Sequence, residues 1–167
     1  MASSSSVFDK IKVSFPFTET DIGGTNSAGS SDAVHWFDMA GYDQLGVLVE
    51  LGTWNATDDL DTCKLEQATD SSGTGKKDLT TSGSGSTYDY DSSAPIDADG
   101  DQVYLTCRAE DLDVANGFRY VRVYLAEGGN TGTDNVSAVY IATGAHVQRA
   151  EMNVSASAGS KVYVKPA

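Results

Sequence analysis

The chain has 167 residues, 40% of them hydrophobic, and a formal net charge of −13. Such a length suits one domain able to bury roughly 70% of its unfolded surface. No apolar stretch approaches the ~20 residues of a membrane span, and so acidic a chain disfavours nucleic acid and anionic membrane as partners, both being polyanions.

Residues 1–6, Met-Ala-Ser-Ser-Ser-Ser, read as a flexible polar tail without the basic and apolar regions of a secretory signal. Residues 7–17 alternate, with Val7, Ile11, Val13, Phe15 and Phe17 expected inward and Lys10, Lys12 and Ser14 outward. Pro16 removes a ladder donor, which places this strand at a sheet edge or a strand end. A Gly-, Ser- and Asn-rich loop over 18–31 leads to a short strand over 32–39 that includes His35, Trp36 and Phe37. Gly41, Tyr42 and Asp43 make a turn, after which Leu45, Val47, Val49 and Leu51 form the inner face of a core strand.

An acidic turn over 54–59 precedes a strand over 60–68, with Cys63 and Leu65 inward and Thr62, Lys64 and Glu66 in water. Residues 69–101 have almost no aliphatic side chains and seven aspartates. A structureless loop that long is uncommon in a compact domain, so a short strand near 78–81, or pairing near 88–90, is expected to interrupt it. The next strand, 102–108, turns Val103, Leu105 and Cys107 inward, and an acidic Asp-Leu-Asp segment follows.

Residues 118–126 give the strongest strand signal: Arg119, Val121, Val123 and Leu125 point one way, Phe118, Tyr120, Arg122 and Tyr124 the other. Glycines and small polar residues over 127–134 have the chemistry of a reversal. A second strand then places Val139, Ile141, Ala145 and Val147 on one face and Tyr140, His146 and Gln148 on the other. The two read as a long antiparallel hairpin at the centre of the fold. A last alternating run, Lys161-Val-Tyr-Val-Lys165, ends before Pro166. Eight or nine strands at this spacing predict an all-β chain closed as an antiparallel β-sandwich, jelly-roll-like, over 7–150, with 151–167 as an extension.

The runs "MAGYDQLGVLVELG", "CKLEQATDSSGTG" and "GFRYVRVYLAEGG…DNVSAVYIATGAHVQRA", in that order over about 38–150, resemble small β-rich structural proteins encoded among the head genes of tailed bacteriophages. The resemblance implies a virion protein, a head decoration or cement protein on the capsid exterior, made in the host cytoplasm. Its partners would be the major capsid protein and further copies of itself in a trimer or other small cyclic oligomer. Residues 1–6 and 152–167 are candidate arms that order on neighbours. A neck, tail or baseplate adaptor is the nearest alternative. A carbohydrate-binding sandwich, with Trp36 and Trp54 as stacking platforms and the acidic turns holding calcium, is a third.

Other chemistry is thin in the sequence, and neither a catalytic group, a metal site nor a cofactor is predicted. Asp97-Ala-Asp-Gly-Asp101 imitates the start of a calcium loop, but Arg108 stands where the twelfth-position Glu belongs; a solvated turn is the expectation. Nothing local to His35 or His146 suggests a nucleophile–base–carboxylate arrangement: serines are scattered in loops and no Gly-x-Ser-x-Gly is present. Cys63 and Cys107 face inward on their strands, either as two buried thiols or, if the strands adjoin, as a disulfide. Tyr120, Arg122, Tyr124, Tyr140 and His146 are the candidate interface, since Tyr and Arg combine apolar area with hydrogen bonding. The competing reading is that this face covers the other sheet or lies under a loop.

Overall fold

In the computed structural model, residues 11–21, 36–55, 59–80, 96–127 and 134–145 are described. Period-two patterning becomes eight strands: β1 (Lys12–Asp21), β2 (Phe37–Asp38), β3 (Gln44–Leu51), β4 (Thr62–Ala68), β5 (Lys77–Asp78), β6 (Gln102–Arg108), β7 (Tyr120–Ala126) and β8 (Asn135–Thr143). They form two antiparallel sheets of order β1-β8-β3-β6 and β2-β7-β4-β5. Only β4 and β5 are consecutive strands paired in one sheet; every other connection crosses from sheet to sheet. That strand order is a jelly roll, two interlocked Greek keys.

The alternating rows predicted from the sequence meet between the sheets. Leu45, Val47, Val49 and Leu51 of β3 with Val103, Leu105 and Cys107 of β6 face Cys63 and Leu65 of β4 and Val121, Val123 and Leu125 of β7, all buried. Each Val or Leu so buried stabilises the fold by about 1.5–3 kcal/mol. Both cysteines are buried thiols, one in each sheet, and no disulfide joins them. Residues 69–101 are interrupted as expected, one step earlier: Lys77 and Asp78 pair with Gln67 and Glu66, and the Leu79 N–H donates to the Leu65 carbonyl at 2.9 Å.

Three expectations change. The hairpin over 118–148 does not exist: β7 pairs with β2 and β4, β8 with β1 and β3, so the Gly-rich connection spans the two sheets. Glycines and small polar residues permit a reversal of either kind, and only the partners of the flanking strands decide which. Second, β8 has the opposite phase. Val136, Ala138, Tyr140 and Ala142 point inward, and Val139 and Ile141 point out. Around Ala138–Ala142 both phases of this central strand hold apolar residues, so alternation there does not choose.

Third, β1 changes phase along its length. Ser14 opposes Tyr140 but Phe17 opposes Ala138, three steps against two, so an extra residue bulges out around Pro16. Before the bulge the even positions face inward, where Lys12 Nζ lies 4.7 Å from the centroid of Phe37. After it Phe17 is buried. Val13 and Phe15, expected in the core, are 50% and 62% exposed. The edge position expected from Pro16 holds, since β1 pairs only with β8.

Tyr140 ties the sheets together. It is 1% exposed, and its hydroxyl accepts the Val123 N–H across the core at 2.8 Å. Since β2 reaches only Val121 along that edge of β7, the hydroxyl satisfies a donor that no described strand takes up. Tyr140→Phe strands this buried donor and is expected to cost about 1–3 kcal/mol, read as a lower urea midpoint at unchanged m-value. Burial raises the Tyr140 phenol above its usual range, and burial with Asp111 nearby pushes the Cys107 thiol up to about 12. Both fold as neutral groups, so their contribution is complete below the unfolded thiol value of 9.0 and is lost as pH rises toward 12. Denaturation at pH 8 and pH 11 should therefore show a lower midpoint at the higher pH, and Cys107→Ala should flatten part of that fall.

Candidate interaction surfaces

A two-sheet sandwich has two outer faces, and side-chain chemistry has finished them differently. On the second sheet β7 presents Tyr120, Arg122 and Tyr124, and β4 presents Lys64 and Glu66 in register beside them. Arg122 is 2% exposed. Its Nε and Nη2 donate to Glu66 Oε2 at 2.8 and 2.7 Å, and the Trp36 ring covers the guanidinium at 4.8 Å. Trp36 in turn rests on Gly73, where an added Cβ would come within 2.8 Å of the indole nitrogen. The turn at 69–76 can approach the ring so closely only because that position has no side chain.

The remaining charges of this face are matched to neighbours. Lys64 Nζ reaches Asp78 at 2.6 Å and lies over the Tyr124 ring at 5.3 Å. Arg119 Nη2 donates to Asp38 at 2.8 Å and to the Tyr120 hydroxyl at 2.9 Å. Lys77 pairs with Asp113 at 2.6 Å, and that hydrogen bond lowers the Asp113 carboxyl below its ordinary value.

Of the candidate interface residues, Tyr120 and Tyr124 are half-buried in this lattice and Arg122 is sealed beneath it. Tyr140 is a core residue, a correction to its outward placement, and His146 lies outside the described residues. Glu66, expected in water, is buried as the partner of Arg122. Trp36 and Trp54 are both buried, so neither offers a stacking face to a sugar. His35, residues 1–6, the pairing near 88–90 and the run at 161–165 also fall outside the described residues. Asp99 accepts the Trp54 N–H at 2.7 Å and Asp101 accepts its own turn's amides, which makes 97–101 a self-bonded turn. Among the described residues no group of three or more His, Cys, Asp or Glu is arranged to hold a metal ion.

The outer face of the first sheet is different. Across its strands Val13 opposes Ile141, Ile141 opposes Gly46 and Gly46 opposes Thr106; Val139 opposes Leu48 and Leu48 opposes Tyr104. Phe15, the next outward residue of β1, extends the second row. This apolar band crosses all four strands. Among the described residues four large apolar side chains are strongly exposed, Val13, Phe15, Tyr104 and Val114, and three of them belong to it. Tyr104, 64% exposed, leans onto Gly46, where a Cβ would meet its hydroxyl at 2.7 Å. Beside it runs an open groove of about 450 Å³ bordered by Tyr104, Thr106, Arg108, Glu110 and Ile141. Sequence reading missed this surface because the bulge at Pro16 and the phase of β8 were needed to turn its residues outward. The available signal was a proline inside an otherwise unbroken alternation.

Removing one member of a buried ion pair strands the other, which typically costs about 3–5 kcal/mol. Glu66→Ala should therefore destabilise far more than Tyr120→Ala on the same face, and a chemical-denaturation comparison of the two checks it. Comparison with protein-family models, with curated proteins and with solved structures finds nothing that matches this chain.

Proposed function

We propose that the chain is a structural protein of a tailed-bacteriophage virion, a decoration protein that binds the outside of the capsid lattice non-covalently in many copies. The observation that carries this reading is the apolar band of Val13, Phe15, Leu48, Tyr104, Val139 and Ile141 on the outer face of the first sheet. Contiguous exposed apolar surface rimmed by polar residues marks a place where another macromolecule sits. Residues of this face are free to be apolar because the fold does not need them inside.

Three further features support the same reading. The jelly roll is an architecture of viral capsid domains, among other uses, although a fold by itself never fixes a function. The charge of −13 suits the exterior of a particle better than a surface against packaged DNA. Finally, β1 begins at Lys12 opposite Ala142, near the end of β8, so the first and last described strands have neighbouring ends. Segments leaving from one end can engage neighbouring subunits together, and repeated modest contacts then add through avidity.

Quantitative mass spectrometry of purified particles tests the location. Copies on the order of hundreds fit a lattice-wide clamp, whereas roughly six or twelve would place the protein at the neck or tail. Phe15→Ser combined with Tyr104→Ser should leave stability within about 0.5 kcal/mol, both side chains being exposed, yet lower capsid occupancy. Full occupancy by that variant would overturn the assignment of this face.

A further inference from the structure

The strand β6 ends the first sheet and pairs with β3 alone, in unbroken register from Gln102 opposite Glu50 to Arg108 opposite Gln44. Two flanking bonds show which way its backbone groups point. The Ala109 N–H donates to the Asp43 carbonyl and the Leu51 N–H to the Asp101 carbonyl, both at 2.9 Å. Hydrogen-bonded pairs alternate along an antiparallel ladder, so Val103, Leu105 and Cys107 bond β3. Gln102, Tyr104, Thr106 and Arg108 then turn their N–H and C=O groups to the open side. Asp111 takes the Arg108 N–H at 2.7 Å. The other three residues are exposed, and among the described residues no backbone group bonds them there. The Tyr104 ring leans the other way, over Gly46, and leaves this edge clear.

Folded sheets ordinarily blunt an edge with proline, bulges, charges or very short strands. Pro16 and the register shifts do so for β1, and β2 and β5 have two residues each. None of these devices protects β6: Gln-Val-Tyr-Leu-Thr-Cys-Arg has no carboxylate, and its one charge stands at the end. Its inner row is also incompletely covered, with Val103 5% and Leu105 7% exposed where the β3 row behind it is sealed. A strand completing this edge needs apolar residues in the inner phase and polar ones in the outer. Among the described strands, β6 itself joins that pattern to an open edge.

We infer that two copies of this chain join through β6, antiparallel about a twofold axis at Leu105, into one continuous eight-stranded sheet. Tyr104 then opposes Thr106 of the partner copy, and the two Leu105 side chains meet at the rim of both cores. Arg108 opposes the partner copy's Gln102, whose amide in each chain bonds Glu50 at 2.9 Å. The cation at one end of the strand thereby lies beside the acidic end of the other, twice over. An isologous contact uses the same edge on both copies, so assembly stops at two. One strand pair buries less than the roughly 1,600 Å² of a standard interface, which makes this a dimer in exchange with its monomer. The inference does not depend on the virion reading.

Sedimentation equilibrium of the full-length chain from about 1 μM to about 1 mM, the span of weak association, tests the pairing. Average mass should rise toward twice that of one chain. Thr106→Pro deletes an outward N–H that β3 does not use, a change edge strands accept. It should leave the melting temperature unchanged and weaken association by about tenfold or more. In the unmodified chain, the Tyr104 and Thr106 amides should exchange hydrogen about tenfold more slowly at the concentrated end than at the dilute end. Amides of β1 should exchange equally at both. A mass that stays at one chain, association unaffected by Thr106→Pro, or β6 amides indifferent to concentration would each overturn the proposal.

Discussion

The guanidinium of Arg122, gripped by Glu66 and roofed by Trp36, closes the outer face of the second sheet and so sets the contrast between the two sides of this sandwich. A charged pair in the middle of an outer sheet face would ordinarily remain in water. Here the aromatic ring and the turn ending near Gly73 exclude solvent, and two hydrogen bonds to one carboxylate oxygen offset the desolvation. The pair contributes little by being buried, but removing Glu66 leaves the Arg122 guanidinium buried without its carboxylate, and removing Arg122 leaves Glu66 with only Lys64 at 3.9 Å.

Closure of the second sheet makes the first sheet the asymmetric one. Its inner face belongs to the core shared by both sheets, and Tyr140 fastens that core by accepting a backbone donor from β7. Its outer face keeps Val13, Phe15, Leu48, Tyr104, Val139 and Ile141 in two rows that no described element covers. A chain of strong negative charge tolerates such a band because self-repulsion discourages unselective association.

Much of the fold was legible in the residues. Rows such as Leu45, Val47, Val49 and Leu51, or Val103, Leu105 and Cys107, have large apolar side chains in one phase and polar ones in the other, and a strand with that asymmetry has one way to sit. Pro16 signalled an edge strand for the reason that it has no N–H to give. The candidate surface was less legible. Tyr120, Arg122 and Tyr124 look like an interface in sequence because Tyr and Arg are frequent there, yet their neighbours Lys64, Glu66 and Trp36 come from segments far away in the chain.

The amino-acid sequence by itself determined that this is an all-β, strongly acidic chain and which side chains of β3, β4, β6 and β7 fill its centre, because a period of two is a local property of the backbone. Only the tertiary structure decided that β7 and β8 lie in opposite sheets, that one residue bulging near Pro16 turns Val13 and Phe15 to solvent, and that Tyr140 points inward. Strand partners and register are set by residues tens of positions apart, and a shift of one residue exchanges the two faces of a strand. Where both phases of a stretch hold apolar residues, as around Val139–Ala142 of β8, the local pattern leaves the choice to packing against the facing sheet.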